Sequence, residues 1–214
     1  MSQAPDDTIS KIREVHKNIK KARIVTISKT FVDEYAKTAL QSDTSFMWID
    51  GQKSKVVAGD IEMIVNEKCM VVVNHNIKLI QYQKRLDDFD ATNSNPSKNI
   101  DSLLSQSNLP VLQGKKNGLI HYRLKQKEAL YEFVDIYFDS NTYLIRQLDV
   151  QYNAERLGSS VISKVSYPVF EINPLHEKEM FDERRYLRIE EGELKPEKDF
   201  SEYRVSKSEV FVLN

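Results

Sequence analysis

One cysteine, six glycines, six prolines and a single tryptophan are spread over 214 residues. The lone Cys69 excludes an intrachain disulfide. It sits between Lys68 and Met70 in a strand-like run with no cationic helix start beside it, and so reads as a structural residue rather than a reactive thiol. With so few glycines the chain has neither a GxGxxG nor a Walker phosphate loop. The four histidines, His16, His75, His121 and His176, lack the spacing of metal ligands. A GxSxG nucleophile motif is missing, and Gly158-Ser159-Ser160 reads as a turn. The acidic pairs Asp87-Asp88 and Glu190-Glu191 lie in polar surroundings, where nothing raises a carboxylate pKa. The sequence therefore points away from an enzyme and implies no metal and no cofactor.

Charge of one sign is lacking too: the formal net charge is -1. Nucleic-acid binding needs a basic surplus gathered on one face, so no nucleic-acid partner is expected. The basic run from His16 to Arg23 and the Lys115-Lys116 pair read as solvated helix and loop charges. No apolar run is long enough to cross a bilayer, which leaves peripheral membrane contact at most. A charged start followed by an apolar core is also missing. Met1-Ser2-Gln3-Ala4-Pro5 reads either as a native cytoplasmic start or as a start codon joined to a processed chain.

What the chain does have is a β meander from Phe46 to Tyr82. Asp50-Gly51, Gly59-Asp60, Asn66-Glu67 and Asn74-His75-Asn76 fall between runs of Val, Ile, Met and aromatic residues. Gly and Asx residues tolerate the backbone of tight turns, and β-branched residues suit a pleated, half-buried surface. Upstream, Thr8 to Lys21 predicts an amphipathic helix with Ile9, Ile12, Val15 or His16, and Ile19 on one face. A first strand follows over residues 22–31, and Gln41 to Ser45 reads as a loop. Residues 86–117 break the strand pattern, with a short helix expected at Ile100 to Leu104.

Strands resume at Gly118. Ile120, Tyr122 and Leu124 alternate with His121, Arg123 and Lys125; Val134, Ile136 and Phe138 alternate with Asp135 and Tyr137. An Asp139-led hairpin turn leads into Leu144 to Tyr152. The last long strand, Val161 to Ile172, contains Pro168, which suits an edge or a bulge. The charged tail, carrying Phe181, Tyr186, Leu187, Phe200, Tyr203 and Val205, is expected around the rim. No βαβ alternation occurs, so the pattern excludes a doubly wound sheet.

Over about residues 8–173 this order of elements resembles the periplasmic lipoprotein-carrier family of LolA and LolB. The helix from Ile9 to Lys21 leads into a strand, as there. The run WIDG (Trp48 to Gly51) and then IEMIVNEKCMVVVNHNIKLIQY (Ile61 to Tyr82) is similar to the family's paired strands, and VDIYFDSNTYLIRQLDVQYN (Val134 to Asn153) to its late hairpin. The family's lid-locking arginine has no assigned counterpart; Arg23 lies near the start of the first strand.

The resemblance implies an α+β, mainly β fold: a curved antiparallel sheet forming an incomplete barrel, with an N-terminal helix and a helical insertion covering the concave face. It implies one LolA-like domain over 1–214, with a flexible N-terminus at 1–7, a lid-like insertion at 86–117 and a charged C-terminal extension at 174–214. Phe31, Phe46, Trp48, Met63, Met70 and Phe138 are the candidates to line an apolar interior. The expected partner is a lipid or the acyl chain of a lipoprotein, or else a protein partner in the envelope. The expected location is the periplasm, with a signal peptide removed. A structural or adaptor domain with a filled core, acting through its rim or an edge strand, is the alternative.

Overall fold

The computed structural model describes residues 7–85, 100, 103–104, 110–125 and 130–207. Helix α1 (Asp7–Lys17) leads into β1 (Lys21–Phe31), β2 (Gln41–Asp50), β3 (Lys53–Ala58), β4 (Ile61–Val65), β5 (Cys69–Asn74) and β6 (Leu79–Lys84). Then come β7 (Val111–Lys116), β8 (Leu119–Lys125), β9 (Tyr131–Asp139), β10 (Ile145–Tyr152), the single-turn helix α2 (Ala154–Leu157) and β11 (Ile162–Ile172). A hairpin of β12 (Leu187–Glu190) and β13 (Glu193–Pro196) precedes β14 (Arg204–Lys207). Twelve strands form one sheet in the order β14-β6-β5-β4-β3-β2-β1-β11-β10-β9-β8-β7, and its two end strands are not paired with each other.

The chemistry of the turns sets the meander. Gly51 and Gly59 take the positive φ that the β2–β3 and β3–β4 turns require. Asn66 Oδ1 accepts the backbone N–H groups of Lys68 and Cys69, Asn74 Oδ1 those of Asn76 and Ile77, and Asp139 Oδ1 those of Asn141 and Thr142. Each side chain thereby closes its own turn, as the sequence predicts.

The structure departs from the sequence reading in several places. The sheet is mixed, not antiparallel throughout, because β14 returns alongside β6 in the same direction, with Arg204 opposite Leu79 and Lys207 opposite Tyr82. Gln41 to Ser45 begins β2 rather than forming a loop; its side chains are mostly exposed, so burial left no alternating pattern to read. Helix α1 stops at Lys17, before the expected Lys21, and Ala22 and Ile24 are already buried strand residues. β11 is an interior strand between β1 and β10, and its pairing with β10 ends at Ser166, two residues before Pro168. Within the expected insertion at 86–117, Val111–Lys116 is strand β7. Ile100, Leu103 and Leu104 are helical, with Ile100 and Leu104 buried. Residues 86–99, 101–102 and 105–109 of that insertion, and 1–6 of the expected flexible N-terminus, lie outside the described residues.

The chain divides into two compact units. One comprises the described residues of Met1–Ile19, Val25–Thr44 and Pro96–Phe170. Its core takes Ile12 and His16 from α1, Ile120, Tyr122 and Leu124 from β8, and Val134, Ile136 and Phe138 from β9. The register sets Tyr122 opposite Ile136 and Leu124 opposite Val134, so the expected alternation places these side chains on one face. The other unit comprises the described residues of Lys20–Ile24, Ser45–Asn95 and Glu171–Asn214. Its core is Ile64, Cys69, Val71, Val73 and Ile80 from the meander, with Phe181, Tyr186 and Leu187 from the C-terminal segment. The expected rim tail thus supplies core residues. Among the described residues, no helix is long and apolar enough to cross a membrane.

Candidate functional site

Strand parity divides the meander's apolar residues between two faces. Across β2 to β6, the pairs Trp48–Lys55, Lys55–Ile64, Ile64–Val71 and Val71–Tyr82 form one row, and Phe46–Val57, Val57–Glu62, Glu62–Val73 and Val73–Ile80 form the next. The C-terminal segment fills this face: Phe181, Tyr186 and Leu187 are buried in it, and Trp48, Tyr82, Met180, Leu194, Phe200, Tyr203 and Val205 pack against the same cluster. Phe46 stacks on Trp48 with ring centroids 6.2 Å apart and planes 20° from parallel.

A polar knot fastens the segment to the sheet. Glu62 pairs with Lys55 and accepts the Tyr186 hydroxyl proton, and His75 Nε2 lies 3.5 Å from its second oxygen. The other ring nitrogen of His75 is 2.8 Å from the Tyr203 hydroxyl. Burial works to raise the Glu62 pKa, but its bonds to Lys55, Tyr186 and His75 prevail and hold it below the ordinary glutamate value. The Tyr186 hydroxyl is pushed up, first by burial and then by the Glu62 carboxylate, so it stays a donor. Cys69 belongs to the same cluster, and burial raises its thiol to about 12. A thiol held there is not a nucleophile near neutrality.

The opposite face of the meander carries Met47, Val56, Met63 and Val72 in one row and Ile49, Ser54, Val65 and Met70 in the next. Val65 and Met70 form a buried cluster against which Met63 and Val72 pack, whereas Met47, Val56, Met63 and Val72 are each only partly buried. Three of the five methionines share this face. The Ser54 hydroxyl is buried beneath it without a hydrogen-bond partner.

The structure therefore brings Phe46 together with Trp48 and Met63 together with Met70, and sets the two pairs on opposite faces. Phe138 is fully buried in its own unit, edge-on to Tyr122 and His16. Phe31 is half-buried, with Lys164 Nζ 5.5 Å from its ring centroid. Arg23 reaches Glu171 at 3.4 Å in an exposed pair. Sequence reasoning singled out Phe181, Tyr186, Leu187, Phe200, Tyr203 and Val205 as large apolar residues in an otherwise charged segment but placed them at the rim, whereas they lie in or against this cluster. Among the described residues, no three His, Cys, Asp or Glu side chains are grouped to hold a metal ion.

No family model and no curated protein matches the sequence. Solved structures do match the fold. An uncharacterized conserved protein from Thermus thermophilus is similar over 95% of this chain and 100% of its own, at 9% identity and a TM-score of 0.52. That likeness shows a shared fold. The matched structures also include the Pseudomonas aeruginosa MucA/MucB complex, with 9% identity over 82% of this chain and 59% of that chain at a TM-score of 0.49. A LolA superfamily protein from Nitrosomonas europaea is another, with 11% identity, 83% and 97% coverage and a TM-score of 0.37.

Proposed function

We propose that this chain is a non-catalytic binding protein of the cell envelope, a single LolA-like domain that holds a lipid or the acyl chain of a lipoprotein. The observation that carries the reading is the shared face of Met47, Met63 and Met70, whose outer row of Met47, Val56, Met63 and Val72 is only partly buried. Methionine is unbranched and polarizable, so a surface built from it moulds to an irregular apolar chain. Each methylene that such a face buries contributes about 0.8 kcal/mol, enough for an acyl chain to be held reversibly. In this reading the methionine face holds the chain, and Met63 and Met70 line the site. Phe46 and Trp48 instead support the C-terminal segment.

The test is native mass spectrometry before and after organic extraction, followed by titration with a fluorescent fatty acid. An extractable acyl species, and probe binding lost in Met63→Asp with the fold retained, support the reading. A clean apo mass with no probe binding moves it to an adaptor that pairs through an edge. That second reading has β7 in its favour, which ends the strand order and leaves Val111 and Leu112 exposed.

A further inference from the structure

The methionine face carries no charge. The register across β2 to β6 extends its two rows to Gln83 and Gln81, and a third row runs from Ser45 through Ala58, Ile61 and Asn74 to Leu79. No Lys, Arg, Asp or Glu stands in any of the three rows, although 29% of the chain is charged and the same strands hold Lys55 and Glu62 on their other side. An ionised group bound on this face would lie without a counter-ion, which is costly once water is excluded.

One donor on the face is orphaned. Ser54 is 4% exposed, and its Oγ has no hydrogen-bond partner. Strand pairing sets it between Ile49 and Val65, with Val56 next along its own strand on the same side, and none of these three side chains has a polar atom. A buried hydroxyl is ordinarily paired, and leaving one unpaired costs stability. A water molecule needs two or more polar partners, and among these neighbours it would find one side chain. A carbonyl oxygen needs a single donor. Met47 and Met63 stand diagonally across from Ser54 on the two neighbouring strands, and their three rotatable bonds let the side chains beside the hydroxyl swing aside for a ligand.

We propose that Ser54 is the polar anchor of the methionine face, its hydroxyl donating to the carbonyl oxygen of an acyl ester. The inference rests on the acyl-binding reading and narrows its ligand to a neutral ester. A free fatty acid brings a carboxylate that this face cannot pair, and an amide-linked chain brings an N–H that needs an acceptor of its own. The amide of Gln83 ends the Ser54 row three strands away, about 14 Å, and is out of reach of a group held at Ser54. An ester brings acceptors only, so a single hydroxyl both satisfies its carbonyl and is satisfied by it.

Probes sharing one fluorophore and one chain length test the anchor on the full chain: a methyl ester, the free acid at about pH 8 and the plain hydrocarbon. The ester is expected to bind about fivefold or more tightly than either of the others. In Ser54→Ala that advantage disappears while the hydrocarbon binds as before. The melting temperature of the ligand-free variant stays level or rises, because an unpaired buried hydroxyl has been removed. A packing role for Ser54 would not weaken ester binding alone while sparing stability. Ester affinity equal in wild type and Ser54→Ala, with the hydrocarbon bound by both, overturns the anchor and leaves the acyl-binding reading standing. A lowered melting temperature in Ser54→Ala means that the hydroxyl already has a partner, and overturns the anchor as well. A wild type that binds none of the probes overturns the anchor and the acyl-binding reading together.

Discussion

Asn66 Nδ2 donates to the carbonyl oxygen of Phe181 at 3.0 Å across 115 positions of sequence. The same amide reaches Glu183 Oε2 at 2.7 Å, while Oδ1 takes the backbone N–H groups of Lys68 and Cys69. One buried side chain closes the β4–β5 turn and pins the C-terminal segment. Asn66→Ala leaves the Phe181 carbonyl and two turn amides without their partner, and is expected to cost about 1–3 kcal/mol. Urea denaturation should show a lower midpoint with an unchanged slope.

Leu187 tests whether the C-terminal segment is core. It is buried together with Ile64, Val71 and Ile80, so Leu187→Ala should cost about 2–5 kcal/mol. Exposed Ile189, two residues on, is the internal control: Ile189→Ala should change stability by less than about 0.5 kcal/mol. Equal effects at both positions would return the segment to the rim.

His16 makes stability depend on pH. It is buried against Phe138 and Phe170, its Nε2 donates to the Tyr143 carbonyl at 3.2 Å, and its Nδ1 has no partner. Burial lowers its pKa from 6.5 to about 4, partly countered by the Tyr143 bond. The unfolded chain therefore takes up this proton at higher pH than the folded one. Stability is full above about pH 6.5 and falls by about 3 kcal/mol as pH drops toward 4. Urea midpoints measured from pH 7 to 4 should fall steeply in the wild type and less steeply in His16→Gln.

Cys69 should be silent in the native protein. With its thiol raised to about 12 and its side chain buried, a disulfide reagent at pH 8 should label none of it over the time in which urea-unfolded chain reacts fully. Native labelling at the unfolded rate would mean that the cluster around Ile64 and Leu187 opens readily.

The meander and the late hairpin were legible because local chemistry determines them. Asn66, Asn74 and Asp139 each close the turn in which they stand, and Ile120, Tyr122 and Leu124 advertise one face by alternation. The parallel partnership of β14 with β6 was not, because it joins Arg204 to Leu79 through no shared motif. Which of the candidate residues share a face was not legible for a similar reason. Bulk identifies Trp48 and Met63 as large, but only the register across two turns shows that they point to opposite sides. Phe181, Tyr186 and Leu187 were visible as apolar residues, yet the charges between them removed any period that would predict burial.

The late arrival of the C-terminal segment has a consequence for biosynthesis. On the ribosome, the meander emerges long before Phe181, Tyr186 and Leu187 are translated, and until then the Ile64, Val71 and Ile80 surface lacks its cover. Completion of this unit therefore waits for the C-terminal segment, and is limited by a long-range closure rather than by the rapid formation of hairpins. A nascent chain paused ahead of Phe181 would offer that surface to chaperones, and a chain exported while still extended would avoid exposing it in the compartment where it is made.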